Sequence, residues 1–254
     1  MEKINLDLLI TVHDDLAGLI FTLTNLKKSS DNFNISIFIK CTDIRYLPTF
    51  DPSSFPNLYI RLFEQPDEGI YHGMNDALSF YQRCLDMKKS KSRFWGFINT
   101  GDIIDLKILK KVIENANYPA VLCAGIQYVN EDGSFGRVLS PTFCDRSWAR
   151  IFGAKPGHMS FYLNHEIEPK FFDTKYSIAA DYKWMLEYIL HVEKSGGRIY
   201  SSKDVTCLMS LGGASTGSWK KFAMGQKESL QIRRELFGWI SAILGLLKPF
   251  WGFL

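Results

Sequence analysis

Four short apolar runs alternate with two helical patterns through the first hundred residues, and that order constrains the fold more than any other feature of the chain. Leu6–Val12 (LDLLITV) and Ile35–Ile39 (ISIFI) are apolar enough for strands buried on both faces. Leu58–Phe63 and Phe94–Ile98 (FWGFI) repeat the signal. Asp14 and Asp15 stand where a helix cap belongs, and Leu16, Leu19, Ile20, Leu23 and Leu26 then recur at helical spacing. A Pro/Ser loop over Asp51–Pro56 precedes the third run. Between the third and fourth runs, Ile70, Met74, Ala77, Leu78, Tyr81 and Leu85 mark one face of a second helix. The β-α-β-β-α-β order predicts an α/β fold, a mostly parallel central sheet flanked by helices on both faces. Ligands of such sheets sit outside the carboxyl ends of the strands. Chemistry is therefore expected in the loops at Asp67–Tyr71 and Asn99–Asp102.

The pattern changes after residue 120. Ala120–Gly125 reads as a strand, and Glu131-Asp132-Gly133-Ser134 as a hairpin turn joining Tyr128-Val129 to Arg137–Leu139. His158–Leu163 is expected to be another strand. Ala180–Val192 is expected to be a helix stopped by Gly196 and Gly197. A chain of 254 residues can bury one large core, with or without a small appendage. Net charge is only +3 and no Lys/Arg run interleaves with aromatics, so no nucleic-acid partner is expected. The five cysteines form no CxxC pair and are odd in number, which argues against a zinc ribbon or a disulfide framework and for thiols buried in a reducing cytoplasm. The N-terminus lacks the apolar stretch of a signal peptide, and no run of apolar residues is long enough to span a bilayer. No GxGxxG follows the first strand, against a dinucleotide enzyme. Thr11–Ala17 (TVHDDLA) is not the Gly-rich phosphate loop of a nucleotidylyltransferase.

Five segments in order carry a resemblance: Gln65–Asn75 (QPDEGIYHGMN), Phe97–Asp102 (FINTGD), His158 with Phe161, Tyr176–Tyr182 (YSIAADY) and Met209–Thr216 (MSLGGAST). Together they resemble small bacterial family-2 glycosyltransferases, such as colanic-acid-type exopolysaccharide and O-antigen enzymes, over roughly residues 5–216. The resemblance implies a GT-A catalytic domain over 1–216, with a nucleotide half at about 1–102 and an acceptor half at about 103–216. A C-terminal amphipathic helical segment, 217–254, lies outside it. It further implies an inverting, metal-dependent hexosyl- or N-acetylhexosaminyltransferase. The donor would be a nucleotide-sugar and the cofactor a divalent cation, Mg or Mn. The acceptor would be a lipid-linked oligosaccharide of the undecaprenyl-diphosphate type.

The resemblance also implies roles. Asp102 matches the last carboxylate of the family's Asp-x-Asp and would hold the cation on the donor diphosphate, where one carboxylate suffices because phosphate and water complete the shell. The plain alternative is a Gly-Asp turn capping a helix at Asp105 or Leu106. Asp181 matches the general base that takes the acceptor hydroxyl's proton. Its plain alternative is an N-cap. Asp67, Gly69, Tyr71 and Asn75 would lie against the donor nucleotide, with Gly69 allowing close backbone approach. Thr11 and Asp43 are the other donor-side candidates. Asp43 stands where relatives carry a base-reading Asp in a different context, and His72 stands where they carry an Asp. His158, after Pro156-Gly157, would sit near the diphosphate as a metal ligand. Gly212–Thr216 resembles a loop near bound donor. A chain of this fold that binds nucleotide-sugar without turnover is the alternative function.

Leu236–Leu247 contains no charged residue, and on a helix its large apolar side chains share one broad face. The run is too short to span a bilayer but suits a helix lying in the interface, with Lys220, Lys221, Lys227, Arg233 and Arg234 preceding it. The expectation is a cytoplasmic protein held peripherally on the inner face of the cell membrane. Packing on the protein's own core, or a homodimer contact, is the alternative.

Overall fold

The computed structural model describes residues 3–29, 32–47, 49–85, 93–130, 132–141, 144, 156–210, 219–239 and 241. The first four runs form strands β1 (Ile4–Val12), β2 (Phe33–Cys41), β3 (Leu58–Glu64) and β4 (Arg93–Phe97). Helices α1 (Leu16–Ser29) and α2 (Ile70–Cys84) fall between them as the periodicity predicts. All pairings among these strands are parallel, and β1 lies between β2 and β4. The chain thus leaves β1 toward one side of the sheet and later returns to its other side. That arrangement opens a crevice at the carboxyl ends of β1 and β4.

The second half extends the same sheet. Strand β5 (Ile103–Ile104) leads into α3 (Leu106–Asn115), followed by β6 (Val121–Val129), β7 (Phe135–Leu139), β8 (Phe161–Asn164), α4 (Ala180–Lys194), β9 (Ile199–Ser210) and α5 (Trp219–Phe237). The described strands form one sheet in the order β3-β2-β1-β4-β8-β6-β9-β5, with β7 paired to β6 as the expected hairpin. Two features differ from the sequence reading. His158–Ser160 is a short 3-10 turn, and only Phe161–Asn164 pairs as a strand. Strand β9 carries too mixed a pattern, with Lys203 and Asp204 in its middle, to stand out before its partner β6 is known.

Burial alternates across the sheet as period two requires. Leu9, Phe38, Trp95 and Phe97 face α2 and α4. Leu8, Ile10, Ile37, Ile39 and Phe94 face α1 and α3. The first face is the more aromatic. Trp184 of α4 stacks on Phe172 with ring centres 4.8 Å apart and meets Trp95, Phe97 and Tyr188 edge-on. Truncating such a core tryptophan typically costs about 3–5 kcal/mol. Asp7 is buried in this face, where it accepts bonds from Tyr81 Oη at 3.0 Å and Arg93 Nε at 2.7 Å. That burial is tolerable because the carboxylate is both paired and hydrogen-bonded.

Candidate active site

Two polar clusters stand at the carboxyl edge of the sheet, and a third stands at the start of α4. The first lies beyond β2 and β3. Lys40 sits inside β2 with no exposed surface and makes an ion pair with Asp67. Thr42 Oγ1 donates to Asp67 Oδ2 at 2.9 Å, and the Gly69 amide donates to Asp67 Oδ1 at 3.1 Å. Burial pushes the Asp67 carboxyl up, but the bonds from Lys40, Thr42 and Gly69 outweigh it and hold the group below its ordinary value. Gly69 caps α2 with φ +140, a conformation that suits glycine and strains other residues.

The second cluster surrounds Asp102, at the switch point between β1 and β4. Gly101 turns the chain with φ +83, its amide donates to the Gly18 carbonyl at 3.1 Å, and Thr22 Oγ1 donates to the Asp102 carbonyl at 2.9 Å. The first turns of α1, whose Gly18 amide is capped by Asp15 Oδ1 at 2.8 Å, thereby fix this loop. The Asp102 side chain is 2% exposed, and its Oδ1 accepts from the Ser210 amide at 3.2 Å. Its Oδ2 is buried and has no hydrogen-bond partner among the described residues. Burial raises the carboxyl to about 7, against the pull of the Ser210 amide. Asp102 does not cap α3, because Asp105 does so by accepting from the Ile108 amide at 2.9 Å. A buried carboxylate oxygen with no donor is costly unless a ligand completes it.

The third cluster is Asp181 in the first turn of α4. Ala179 is the N-cap and offers no side-chain cap, so Asp181 is not spent in that role. Asp181 Oδ1 accepts from the Tyr182 amide at 2.8 Å and lies 3.1 Å from Tyr71 Oη. No hydrogen bond reaches its Oδ2 among the described residues. Tyr71 Oη also donates to the Ile178 carbonyl at 2.7 Å, and the Tyr71 ring stacks on Phe172. Burial, and then the Asp181 charge, push the Tyr71 phenol far above its ordinary value. His158 is walled by Phe97, Phe172 and Trp184 at ring distances of 5.4–5.8 Å, and its Nε2 has no partner among the described residues. Burial lowers its pKa and Asp181 partly opposes that, so the imidazole is neutral at pH 7.

The remaining candidates are placed differently. Asn75 uses both ends of its amide on the Phe172 backbone, donating at 3.0 Å and accepting at 2.7 Å, and so fixes the loop before α4. Thr11 lies beside Lys40 in the β1–β2 register. Asp43 caps a short 3-10 turn and is tied to Arg45, whose side-chain bonds lower its carboxyl to about 2. His72 is exposed on α2. Gly212–Thr216 lie outside the described residues, as does most of the Leu236–Leu247 run. Among the described residues no three His, Cys, Asp or Glu side chains gather into a metal cage.

Two participants were not anticipated. Lys40 had a signal, a lysine at the end of the apolar run ISIFI. Glu228 of α5 had none. It accepts from the Ser177 amide at 3.0 Å and hydroxyl at 2.9 Å, the Ile178 amide at 2.9 Å and the Ala179 amide at 2.8 Å. Burial raises the Glu228 carboxyl, but these bonds together take it below its ordinary value.

A mixed α/β sheet of this topology, with its polar loops at the carboxyl edge, is the GT-A glycosyltransferase fold. No family model and no curated protein matches the sequence. Solved structures of S. aureus TarS do match the fold. A TarS chain aligns with TM-score 0.56 at 16% identity, covering 91% of this chain and 39% of that one. TarS 1–349 in complex with UDP aligns with TM-score 0.57 at 14% identity, over 91% of this chain and 65% of that one. TarS 1–349 in complex with UDP-GlcNAc aligns with TM-score 0.58 at 14% identity, over 92% and 71%. The chain thus spans about two-fifths of the longer TarS chain, and the likeness concerns the fold.

Proposed function

We propose that the chain is an inverting glycosyltransferase that moves a sugar from a nucleotide-sugar to a lipid-linked saccharide in bacterial exopolysaccharide, capsule or O-antigen synthesis. The observation that carries this reading is Asp102, a buried carboxylate with one oxygen unpartnered among the described residues, at the switch point of a GT-A sheet. The UDP and UDP-GlcNAc complexes of TarS support a nucleotide-sugar as donor, with a UDP-sugar first in line. Asp102 Oδ2 would hold a divalent cation, Mg or Mn. When bound, the cation supplies positive charge against the departing diphosphate.

Asp181 is the base. Its Oδ2 takes the proton of the acceptor hydroxyl as that oxygen attacks the anomeric carbon. The bond from that carbon to the diphosphate oxygen breaks on the opposite face, so the configuration inverts. Tyr71 steadies the charged base: its single proton turns toward Asp181 Oδ1 when the carboxylate is ionised, and toward the Ile178 carbonyl once Asp181 Oδ2 has taken the acceptor's proton. Lys40 and Thr42 hold Asp67 ionised and oriented at the entry to α2, on the donor side. The buried aromatic wall of Phe97, Phe172 and Trp184 excludes water around His158.

Exposed aromatic and basic residues on α5 support attachment to the inner membrane face. Trp219 is 79% exposed, with Phe222, Lys220, Lys221 and Lys227 also exposed, and Trp239, two residues past the helix, is 67% exposed. Among the described residues no helix is long and apolar enough to cross a membrane.

A thermal-shift screen of UDP-, GDP- and dTDP-sugars with and without Mn²⁺ tests the reading, followed by NMR of the product. Stabilisation by one nucleotide series, dependent on the cation, and an inverted anomeric centre are expected. Binding without transfer to any lipid-linked acceptor would leave a nucleotide-sugar-binding protein instead.

A further inference from the structure

We infer that Glu228, on the last described helix, is a positioning residue for Asp181, acting through the peptide unit between Ile178 and Ala179 and through Tyr71. The inference rests on the reading of Asp181 as the base. An α-helix begins with four amides that lack intrahelical partners, and a side chain at the N-cap normally satisfies one or two of them. Helix α4 has alanine at that position and no cap of its own. Its entry is satisfied from another helix. Glu228 Oε1 takes the Ser177 amide and hydroxyl, and Oε2 takes the Ile178 and Ala179 amides, all within 2.8–3.0 Å.

One of those amides matters beyond capping. The Ala179 N–H and the Ile178 C=O belong to a single planar peptide unit. Its N–H end donates to Glu228 at 2.8 Å, and its C=O end accepts from Tyr71 Oη at 2.7 Å. Tyr71 in turn lies 3.1 Å from Asp181 Oδ1. Rotation of that peptide would carry the Ile178 carbonyl away from Tyr71 and leave the phenol one partner in place of two. Glu228 fixes the peptide plane, the plane fixes the Tyr71 hydroxyl, and the hydroxyl fixes the base.

A second acidic residue of α5 provides the control. Glu235 also docks α5 on this region, pairing with Lys175 at 3.2 Å and Lys183 at 3.6 Å, but it contacts no backbone group of the 177–179 turn among the described residues. Simple loosening of α5 would follow from removing either glutamate. Only loss of Glu228 should disturb the base.

The test compares Glu228→Gln, Glu228→Asp, Glu235→Gln and Asp181→Asn in the full chain. Gln keeps the shape but turns an NH2 toward two of the four donors. In crystals of Glu228→Gln the Tyr71–Ile178 and Tyr71–Asp181 contacts should break, while Glu235→Gln keeps them. In UDP-GlcNAc hydrolysis followed as UDP release, Glu228→Gln should lower kcat about 10- to 100-fold, the range a misplacement of about 1 Å produces. KM should change less than about twofold, and Glu228→Asp should recover part of kcat. Unchanged Tyr71 contacts in Glu228→Gln, or equal kinetic effects of Glu228→Gln and Glu235→Gln, overturn the inference. Wild-type turnover in Asp181→Asn overturns the reading of the base instead, and the two failures are distinct.

Discussion

The Tyr71 hydroxyl lies 3.1 Å from Asp181 Oδ1, although 110 residues separate the two in sequence. Helices α2 and α4, far apart in the chain, therefore meet at one hydrogen bond. Removing the hydroxyl in Tyr71→Phe leaves the Ile178 carbonyl without its donor and Asp181 Oδ1 without the hydroxyl beside it. A stability loss of about 1 kcal/mol is expected in urea denaturation. Turnover should fall about tenfold with donor affinity preserved. Turnover at the wild-type rate would remove Tyr71 from the mechanism.

Asp181→Asn keeps the side-chain shape and the bond from the Tyr182 amide but abolishes basicity. Transfer should fall by roughly 10²–10⁴, while UDP binding measured by calorimetry stays within about twofold. Loss of UDP binding in parallel would point to a structural role.

The proposed cation site at Asp102 carries a pH dependence. The folded protein keeps this proton up to about 7, whereas an unfolded chain releases it near 4. The stability contribution is therefore complete below about 4 and is lost as pH rises through 7, reaching up to about 3–4 kcal/mol. Asp102→Asn should thus gain on the wild type between pH 5 and 8 in thermal melts without metal. Mn²⁺ must displace the same proton, so its affinity should climb about tenfold per pH unit below 7 and level off above. Flat Mn²⁺ affinity across that range would exclude Asp102 as the ligand.

Lys40→Met strands Asp67 in a half-buried pocket and should cost about 3 kcal/mol. Adding Asp67→Asn should recover part of that loss, since no charge is then left behind. The Asp67 carboxyl lies below its ordinary value in the fold. Its stabilisation is present above about pH 4 and vanishes as pH falls through the folded value. The gap between wild type and Lys40→Met should narrow accordingly in acid denaturation curves.

Membrane attachment is testable at α5. Arg233 donates to Ser241 at 3.3 Å and Ser241 is buried, so a truncation that spares the fold removes 242–254 and not 236–254. Flotation with anionic liposomes should weaken in this truncation, and further in Trp219→Ala/Phe222→Ala. A full chain that ignores anionic liposomes would leave self-packing or a dimer contact as the role of the segment.

Much of the fold was legible in the chain because the parallel half is built from fully buried strands, whose apolar runs carry their own boundaries. Leu6–Val12 and Ile35–Ile39 fall inside β1 and β2. Strand β9 was not legible, because a half-exposed strand with Lys203 and Asp204 takes its definition from its neighbour. The first carboxylates were found through motifs at strand and helix ends. Their supporting groups were not. Thr22, Ser210 and Glu228 act on Asp102 and on the α4 turn from 80, 108 and about 50 residues away, and no local pattern encodes such distances. Asp181 reads as either base or N-cap in the sequence; the structure makes Ala179 the N-cap and lets Glu228 accept its amide.

The cap of α4 lies 49 residues downstream of Ala179, on the last helix described. During synthesis, the helix that bears Asp181 emerges from the ribosome well before the residue that completes its first turn. A growing chain therefore carries the helix with Asp181 before it carries the carboxylate that ties down the Ser177–Ala179 entry, and that entry is complete only once α5 has been made and has docked.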